Sequence, residues 1–185
     1  MNNKDKFELY AQTLREWSEK MNLVAPSTLA DIQTRHFADS AQLANVLPGD
    51  ASIIDLGSGA GFPGVVLAIL GYNVTCIESI GKKVAFLTEI KEKLGLSDLT
   101  IYHGRVEDFI AKTPVNAGKT VFTARAFAPL IKILDYVAKT KCRLFLLKGR
   151  EIESEINTAK TKYNFDYDLI KSETGDGFIT IIQNI

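Results

Sequence analysis

Ser52-Ile53-Ile54-Asp55-Leu56-Gly57-Ser58-Gly59-Ala60-Gly61-Phe62-Pro63-Gly64 says more about this chain than any other part of it. An apolar, β-branched segment ends on Asp55, a glycine-rich turn follows, and Val65-Val66-Leu67-Ala68-Ile69-Leu70 then has a helical pattern. The order is strand, tight turn, helix. Glycine permits left-handed backbone and lets a ligand lie against bare main chain, while the helix beyond aims its unpaired N–H groups at the same spot. Pro63 suits a helix start, where its missing N–H has no partner to lose.

Two ligand classes use such a turn. A dinucleotide fold places pyrophosphate at the helix N-terminus and has the spacing G-x-G-x-x-G, which Gly59, Gly61 and Gly64 match. The acids argue for the other class. Asp55, at the strand end, would repel a pyrophosphate and suit a cationic ligand with ammonium and sulfonium groups, such as S-adenosylmethionine. Glu78 closes the next strand-like run, Asn73-Val74-Thr75-Cys76-Ile77-Glu78. A carboxylate there accepts ribose hydroxyls, a feature of nucleotide-binding sheets of either kind.

A chain of 185 residues that is 46% hydrophobic is one ordinary domain with a full core. Lys plus Arg equal Asp plus Glu at 22 each, so no global field marks a nucleic-acid binder and any RNA contact has to come from a local patch. Cys76 and Cys142 lie in apolar strand-like runs, which predicts reduced, buried thiols, with no disulfide framework and no metal site. The N-terminus lacks a signal-peptide apolar core and no segment approaches about 18 consecutive apolar residues. The expectation is a soluble, cytoplasmic protein with no membrane partner.

Phe7, Tyr10, Leu14, Trp17 and Met21 fall on one face of a helix that Pro26 closes, and residues 28–47 predict one or two more helices. Residues 1–48 thus read as a helical cap on a sheet domain over 49–185. Lone His36, in Arg35-His36-Phe37-Ala38-Asp39-Ser40, reads as a structural or partner-contact histidine. From Ala51 onward strands and helices alternate, which implies a parallel sheet that binds its ligand at the strand carboxyl ends. Gly175-Asp176-Gly177 predicts a closing hairpin. A seventh strand made antiparallel by that hairpin belongs to the seven-stranded, Rossmann-like S-adenosylmethionine-dependent methyltransferase fold, not to a two-halved dinucleotide fold. Asp55, Glu78, the 103–108 turn, Arg125 and Lys148 are expected to ring one cleft.

What is missing narrows the chemistry. There is no Pro-Pro pair of the kind exocyclic-amine methylation employs after strand four, where the chain reads Thr123-Ala124-Arg125-Ala126-Phe127. Neither cysteine stands where a nucleophile for pyrimidine C5 would. An in-plane ring nitrogen such as guanine N7 needs no base, so catalysis reduces to alignment and water exclusion. Arginine reads a guanine edge or a phosphate, and Arg105 and Arg125 are candidates; each could instead be an ion-pair partner.

Trp17 with Asn22-Leu23, the 35–40 segment, the 55–64 turn, Glu78-Ser79 with Lys82-Lys83 and Phe86-Leu87, Arg105-Val106-Glu107, Arg125-Ala126-Phe127-Ala128 and Leu147-Lys148-Gly149 together resemble the RsmG (GidB, glucose-inhibited division protein B) family of bacterial 16S ribosomal RNA guanine-N7 methyltransferases, from about Leu14 to Ile185. The resemblance implies S-adenosylmethionine as cofactor, with contacts at Gly57, Phe62, Val106, Glu107 and Arg125 and with Glu78 at the ribose. Asp55 and Gly59 join that set from the reading of the turn. Arg125 is expected to position the reactants. Arg105, Lys148, Lys82, Lys83 and His36 are the candidates for RNA contact. The implied partner is 16S ribosomal RNA or an assembling small-subunit particle, with no DNA, and a monomer is expected. The one departure is a short connection after Glu107. A methyltransferase-like RNA-binding protein without catalysis and a nucleotide-dependent oxidoreductase are the competing readings.

Overall fold

The computed structural model describes residues 1–185. Seven strands form one sheet in the order β3-β2-β1-β4-β5-β7-β6. They are β1 (Ser52–Leu56), β2 (Asn73–Glu78), β3 (Leu99–His103), β4 (Thr120–Arg125), β5 (Arg143–Lys148), β6 (Asp166–Lys171) and β7 (Phe178–Gln183). β1 pairs in parallel with β2 and β4, β2 with β3, and β4 with β5; β7 runs antiparallel between β5 and β6. The chain leaves the centre toward β3 and then returns to β4, so the order reverses between β1 and β4. Ligands of open α/β sheets bind at that reversal, outside the strand carboxyl ends.

Alternation along each strand assigns the faces. Ile53 of β1 and Phe145 and Leu147 of β5 belong to one core layer, with α1 (Asn3–Ser18), α3 (Gly64–Ile69) and α4 (Gly81–Leu94). Ile54, Leu56, Leu144 and Leu146 belong to the other, with α5 (Val106–Lys112), α6 (Leu130–Val137) and α7 (Ile152–Lys160). The N-terminal segment is no loose appendage: Tyr10 and Leu14 are fully buried in the first layer. Tyr10 stacks on Phe62 with ring centroids 5.4 Å apart and its hydroxyl donates to the Ala60 carbonyl.

The region between α1 and β1 differs from its expectation. α1 ends at Ser18, well before Pro26, and Pro26 opens a 3₁₀ turn, Pro26–Asp31. A π-helical stretch, Gln33–Ala38, a single α-turn, α2 (Asp39–Ala41), and a second 3₁₀ turn, Gln42–Asn45, follow. The physical reason is packing. This segment has to place His36 and Phe37 inward together, on Phe62, whose ring centroids lie 4.9 and 6.0 Å from theirs, and wider π-helical turns re-aim side chains in this way. Both thiols are free and buried.

Candidate active site

The turn after β1 is built on bare backbone. Gly57 has φ +64°, and a Cβ there would run into the Phe127 ring, so both conformation and space exclude a larger residue. Glu78 is buried and collects three backbone N–H groups: Gly59 on Oε2 at 2.9 Å, Ser79 and Ile80 on Oε1 at 2.8 and 2.9 Å. A carboxylate has about four acceptor positions. The loop therefore orients Glu78 and leaves it room to accept a hydroxyl.

Asp55 works from beneath the turn. It is fully buried, with Oδ2 accepting the Gly64 N–H at 3.2 Å and Oδ1 the Thr123 hydroxyl at 3.0 Å. Burial pushes its pKa up to about 6, against the lowering effect of the hydrogen bonds from Thr123 and Gly64. The sequence faces Asp55 toward a cationic ligand; in the structure its two oxygens accept from Gly64 and Thr123 and so join the turn to β4. Gly64 is glycine for the same reason, since a Cβ there would lie 2.7 Å from that carboxylate oxygen.

Arg125, the last residue of β4, meets the N-terminal segment. Its Nη1 donates to Asp39 Oδ2 and to the Arg35 carbonyl, both at 3.1 Å, its Nη2 donates to His36 Nδ1 at 2.8 Å, and its Cζ stands 4.8 Å from the centre of the Phe62 ring. An arginine can only donate, so His36 accepts on Nδ1 and carries its proton on Nε2. That nitrogen donates to the Thr28 hydroxyl at 2.8 Å, which donates to the Ala25 carbonyl at 2.7 Å. Burial, then the Arg125 charge, lowers the His36 pKa to about 4. His36 is thus a neutral link with both ring nitrogens engaged inside the chain, and what it offers as an RNA-contact candidate is its place on the wall of the adjoining cavity.

A cavity of about 630 Å³ opens beside this cluster. Its walls are His36 and Asp39 of the N-terminal segment, Arg125 to Pro129 after β4, Lys148 and Gly149 after β5, and residues 172 and 174–178 at the β6–β7 turn. Arg125 and Lys148 line it and Asp55, Glu78 and Arg105 do not, so the expected ring of side chains divides between this cavity and the Gly57–Glu78 turn. Ala126 has φ +50°, uncommon outside glycine, and this turn sends Phe127 back over Gly57, at the junction of the two. Lys148 was expected to face RNA. It instead donates to Glu155 Oε2 at 2.6 Å and to the Ala128 carbonyl at 2.8 Å, and its side chain is only 10% exposed. Glu155 also accepts the Leu130 N–H, so the pair braces the Phe127–Pro129 connection. Lys82 and Arg105 are exposed, Lys83 is half-buried, and none of the three forms an ion pair. Val106, first in α5, is buried, and Glu107 beside it is exposed.

Sequence reasoning missed Asp39, Gln42 and Thr174, which join the N-terminal segment to the cavity rim, and Ile80, whose side chain stands 49% exposed two residues past Glu78. For Ile80 the signal was available, an isoleucine outside the periodicity of α4. For the others no local pattern exists.

The family described as rRNA small subunit methyltransferase G (GidB) matches residues 3–174. The chain belongs to this family. Ribosomal RNA small subunit methyltransferase G of Hyphomonas neptunium is 42% identical over 189 residues, covering 98% of this chain and 87% of the relative. The protein of the same name from Methylobacterium nodulans is 40% identical over 176 residues, covering 90% and 81%. Among solved structures, an S-adenosylmethionine-dependent methyltransferase from Aquifex aeolicus superposes with a TM-score of 0.64 at 16% identity, over 88% of this chain and all of that one. One from Methanococcus maripaludis gives 0.62 at 14% identity, over 85% and 90%. At those identities the likeness is one of fold. The GidB-family chain is accordingly a methyltransferase that uses S-adenosylmethionine, and the Gly57 backbone with the part-filled Glu78 carboxylate suits a ligand carrying a ribose.

Proposed function

We propose that this protein transfers a methyl group from S-adenosylmethionine to N7 of a guanine in small-subunit (16S) ribosomal RNA. Family membership supports the RNA, and the observation that carries the atom is that the candidate proton acceptors at the β4 end of the cavity are engaged: Asp39 is paired with Arg125 and Glu155 with Lys148, which leaves Asp176 of the β6–β7 turn as the one lining carboxylate without a partner. His36 lies on its wall with a pKa near 4 and both nitrogens engaged. Cys76 and Cys142 are buried away from it with raised pKa values, chiefly through burial. Guanine N7 is already an unprotonated nucleophile, so a base would have nothing to take.

The cofactor, when bound, supplies a methyl group activated by its sulfonium. The chain's own residues do the rest. Gly57 and Gly59 offer main chain for close approach, and Glu78 accepts from a ribose. Val106, Glu107 and Phe62 complete the cofactor's surroundings, with Asp55 holding the turn in shape from below. Arg125 positions the acceptor: three of its N–H groups are committed to Asp39, Arg35 and His36, which fixes the plane of the fork and leaves Nε–H and one Nη2–H for an acceptor on the RNA. Lys82, Lys83 and Arg105 are free to meet phosphate. The RNA is met as 16S ribosomal RNA or a small-subunit particle, by a cytoplasmic protein acting as a monomer.

The test is single-turnover transfer of labelled methyl to unmodified small-subunit RNA, with the product mapped by mass spectrometry. The rate should stay flat from about pH 6.5 to 8.5, and Arg125→Ala and Arg125→Lys should both lower it by roughly 10²-fold, the scale of lost alignment. A bell-shaped profile, or methyl on an exocyclic amine, overturns the N7 assignment.

A further inference from the structure

Asp39 stands where three distant parts of the chain meet. Its Oδ2 accepts from Arg125 at 3.1 Å, while its Oδ1 accepts from the Thr174 hydroxyl at 2.7 Å and from Gln42 Nε2 at 3.0 Å. Gln42, itself buried, repeats the link: Nε2 donates to Ser172 Oγ at 3.0 Å and Oε1 accepts the Glu173 N–H at 3.2 Å. Ser172 and Thr174 belong to the β6–β7 turn, which forms the cavity wall across from Arg125. No hydrogen bond or ion pair joins that turn to Arg125 directly. Asp39 is the one side chain that touches both Arg125 and that turn, with Gln42 as a second tie from the same segment to the turn; the Asp39 side chain is 22% exposed beside an arginine at 17%.

We propose that Asp39 is a positioning residue for methyl transfer. One carboxylate oxygen fixes the Arg125 fork and the other fastens the β6–β7 turn through Thr174, so that the wall meeting the RNA and the arginine aligning it move as one. The inference rests on the function proposed above. A charge-assisted hydrogen bond holds a guanidinium in one plane, and N7 chemistry leaves the protein alignment and water exclusion as its catalytic resources. Asparagine is a poor replacement, because it removes the charge beside Arg125 and its amide would turn a donor toward either the guanidinium or Gln42 Nε2, neither of which can accept.

The experiment compares wild type, Asp39→Ala, Asp39→Asn, Thr174→Val and the Asp39→Ala/Thr174→Val double variant. It reads the single-turnover rate at saturating RNA, S-adenosylmethionine affinity by calorimetry, and hydrogen exchange of the 172–178 amides. Asp39→Ala and Asp39→Asn should lower the rate at least about tenfold while cofactor affinity stays within about threefold, and exchange protection should fall across the turn. Thr174→Val, which touches Arg125 nowhere, should lower the rate about threefold and add nothing in the Asp39→Ala background, since residues acting through one link are non-additive. Thr174→Val at the wild-type rate, full additivity in the double variant, or an Asp39→Ala protein that loses thermal stability alone would each overturn the proposal. Wild-type protein that transfers no methyl group strikes the functional reading instead, and unchanged exchange at 172–178 in Asp39→Ala would still overturn the link.

Discussion

The two halves of the cleft are made in different ways. The half proposed for the cofactor, around Gly57 and Glu78, is assembled from segments that follow one another along the chain, and its donors are main-chain N–H groups of Gly59, Ser79 and Ile80. The cavity half is joined by side chains far apart in sequence, Arg125 with Asp39 and His36 and Asp39 with Thr174, and is braced more locally by Lys148 on the Ala128 carbonyl and Glu155. A backbone-made site tolerates changes of side chain around it and fails when its glycines change. A side-chain-made site fails wherever one link is cut.

The largest effect that separates them is expected from Gly57→Val. The substitution needs φ +64° from a β-branched residue and puts its Cβ into the Phe127 ring, so cofactor affinity should fall by more than about 100-fold in calorimetry. Gly49→Ala is the control, because nothing lies within 4 Å of a Cβ there; it should change stability by less than about 0.5 kcal/mol. Near-normal affinity in Gly57→Val would mean that the turn is not where the ligand meets main chain.

This division also decides what could be read from the sequence. Strand, turn and helix around Gly57 are contiguous, and Glu78 stands at a strand end, so the local geometry of the half proposed for the cofactor is legible, as are the strand succession and the antiparallel close. Arg125 was legible as a strand-end residue, but its partners were not, since nothing local to Asp39 or His36 records an arginine some ninety positions later. Residues 28–47, which the sequence predicts to hold one or two helices, are helical in irregular 3₁₀ and π turns, a geometry that answers to the Phe62 ring and not to local periodicity. Exposure was the other blind spot: sequence gives Lys148 and Lys82 the same charge, and only packing buries one of them.

Asp55→Asn tests the base of the cofactor half through pH. The folded pKa of Asp55, about 6, lies above the ordinary aspartate value of 3.8, so its contribution to stability is present below 3.8 and is lost as pH rises through 6. A rise of that size corresponds to on the order of 3 kcal/mol. His36 acts in the opposite sense: its pKa is lowered from 6.5 to about 4, so its contribution is present above 6.5 and is lost as pH falls toward 4. The two oppose each other between pH 4 and 6. Asp55→Asn, whose amide can still accept from Gly64 and donate to Thr123, should unmask the histidine and give a protein that loses stability on acidification more steeply than wild type in urea unfolding at pH 4.5, 5.5 and 7. Parallel wild-type and variant curves would show that Asp55 does not titrate in that window.

Glu78→Ala should weaken S-adenosylmethionine binding by about 2 kcal/mol, roughly thirtyfold, the scale for losing charge-assisted hydrogen bonds. Three N–H groups lose their acceptor with the same change, so part of the loss is disorder of the turn. Glu78→Gln, which keeps one oxygen, should fall between. With the cofactor saturating, the methyl-transfer rate should recover, whereas the Arg125 variants should stay slow. A Glu78→Ala enzyme that stays equally slow at saturation would erase the distinction between a binding half and an aligning half.

The smallest effects concern the lysines, and they ask whether the braced cavity wall also touches RNA. Lys148 is held by Glu155 and the Ala128 carbonyl at 2.6 and 2.8 Å. Removing it leaves a half-buried carboxylate unpaired, so Lys148→Ala should destabilise the fold by roughly 1–3 kcal/mol. The dependence of RNA affinity on salt should not change, because a lysine that contacts no phosphate releases no counterion. Lys82 and Lys83 sit in the first turn of α4 without an ion pair. Lys82→Ala and Lys83→Ala should each leave stability within about 0.5 kcal/mol and lower the slope of log affinity against log salt by about 0.7, the value for one single-strand phosphate. Zero net charge does not argue against this, since the slope counts local contacts and not the sum over the chain. The measurement is RNA binding between about 50 and 200 mM salt for the three variants. A slope that drops for Lys148→Ala and holds for the other two would move the RNA from the α4 side of the cleft to the β5 side.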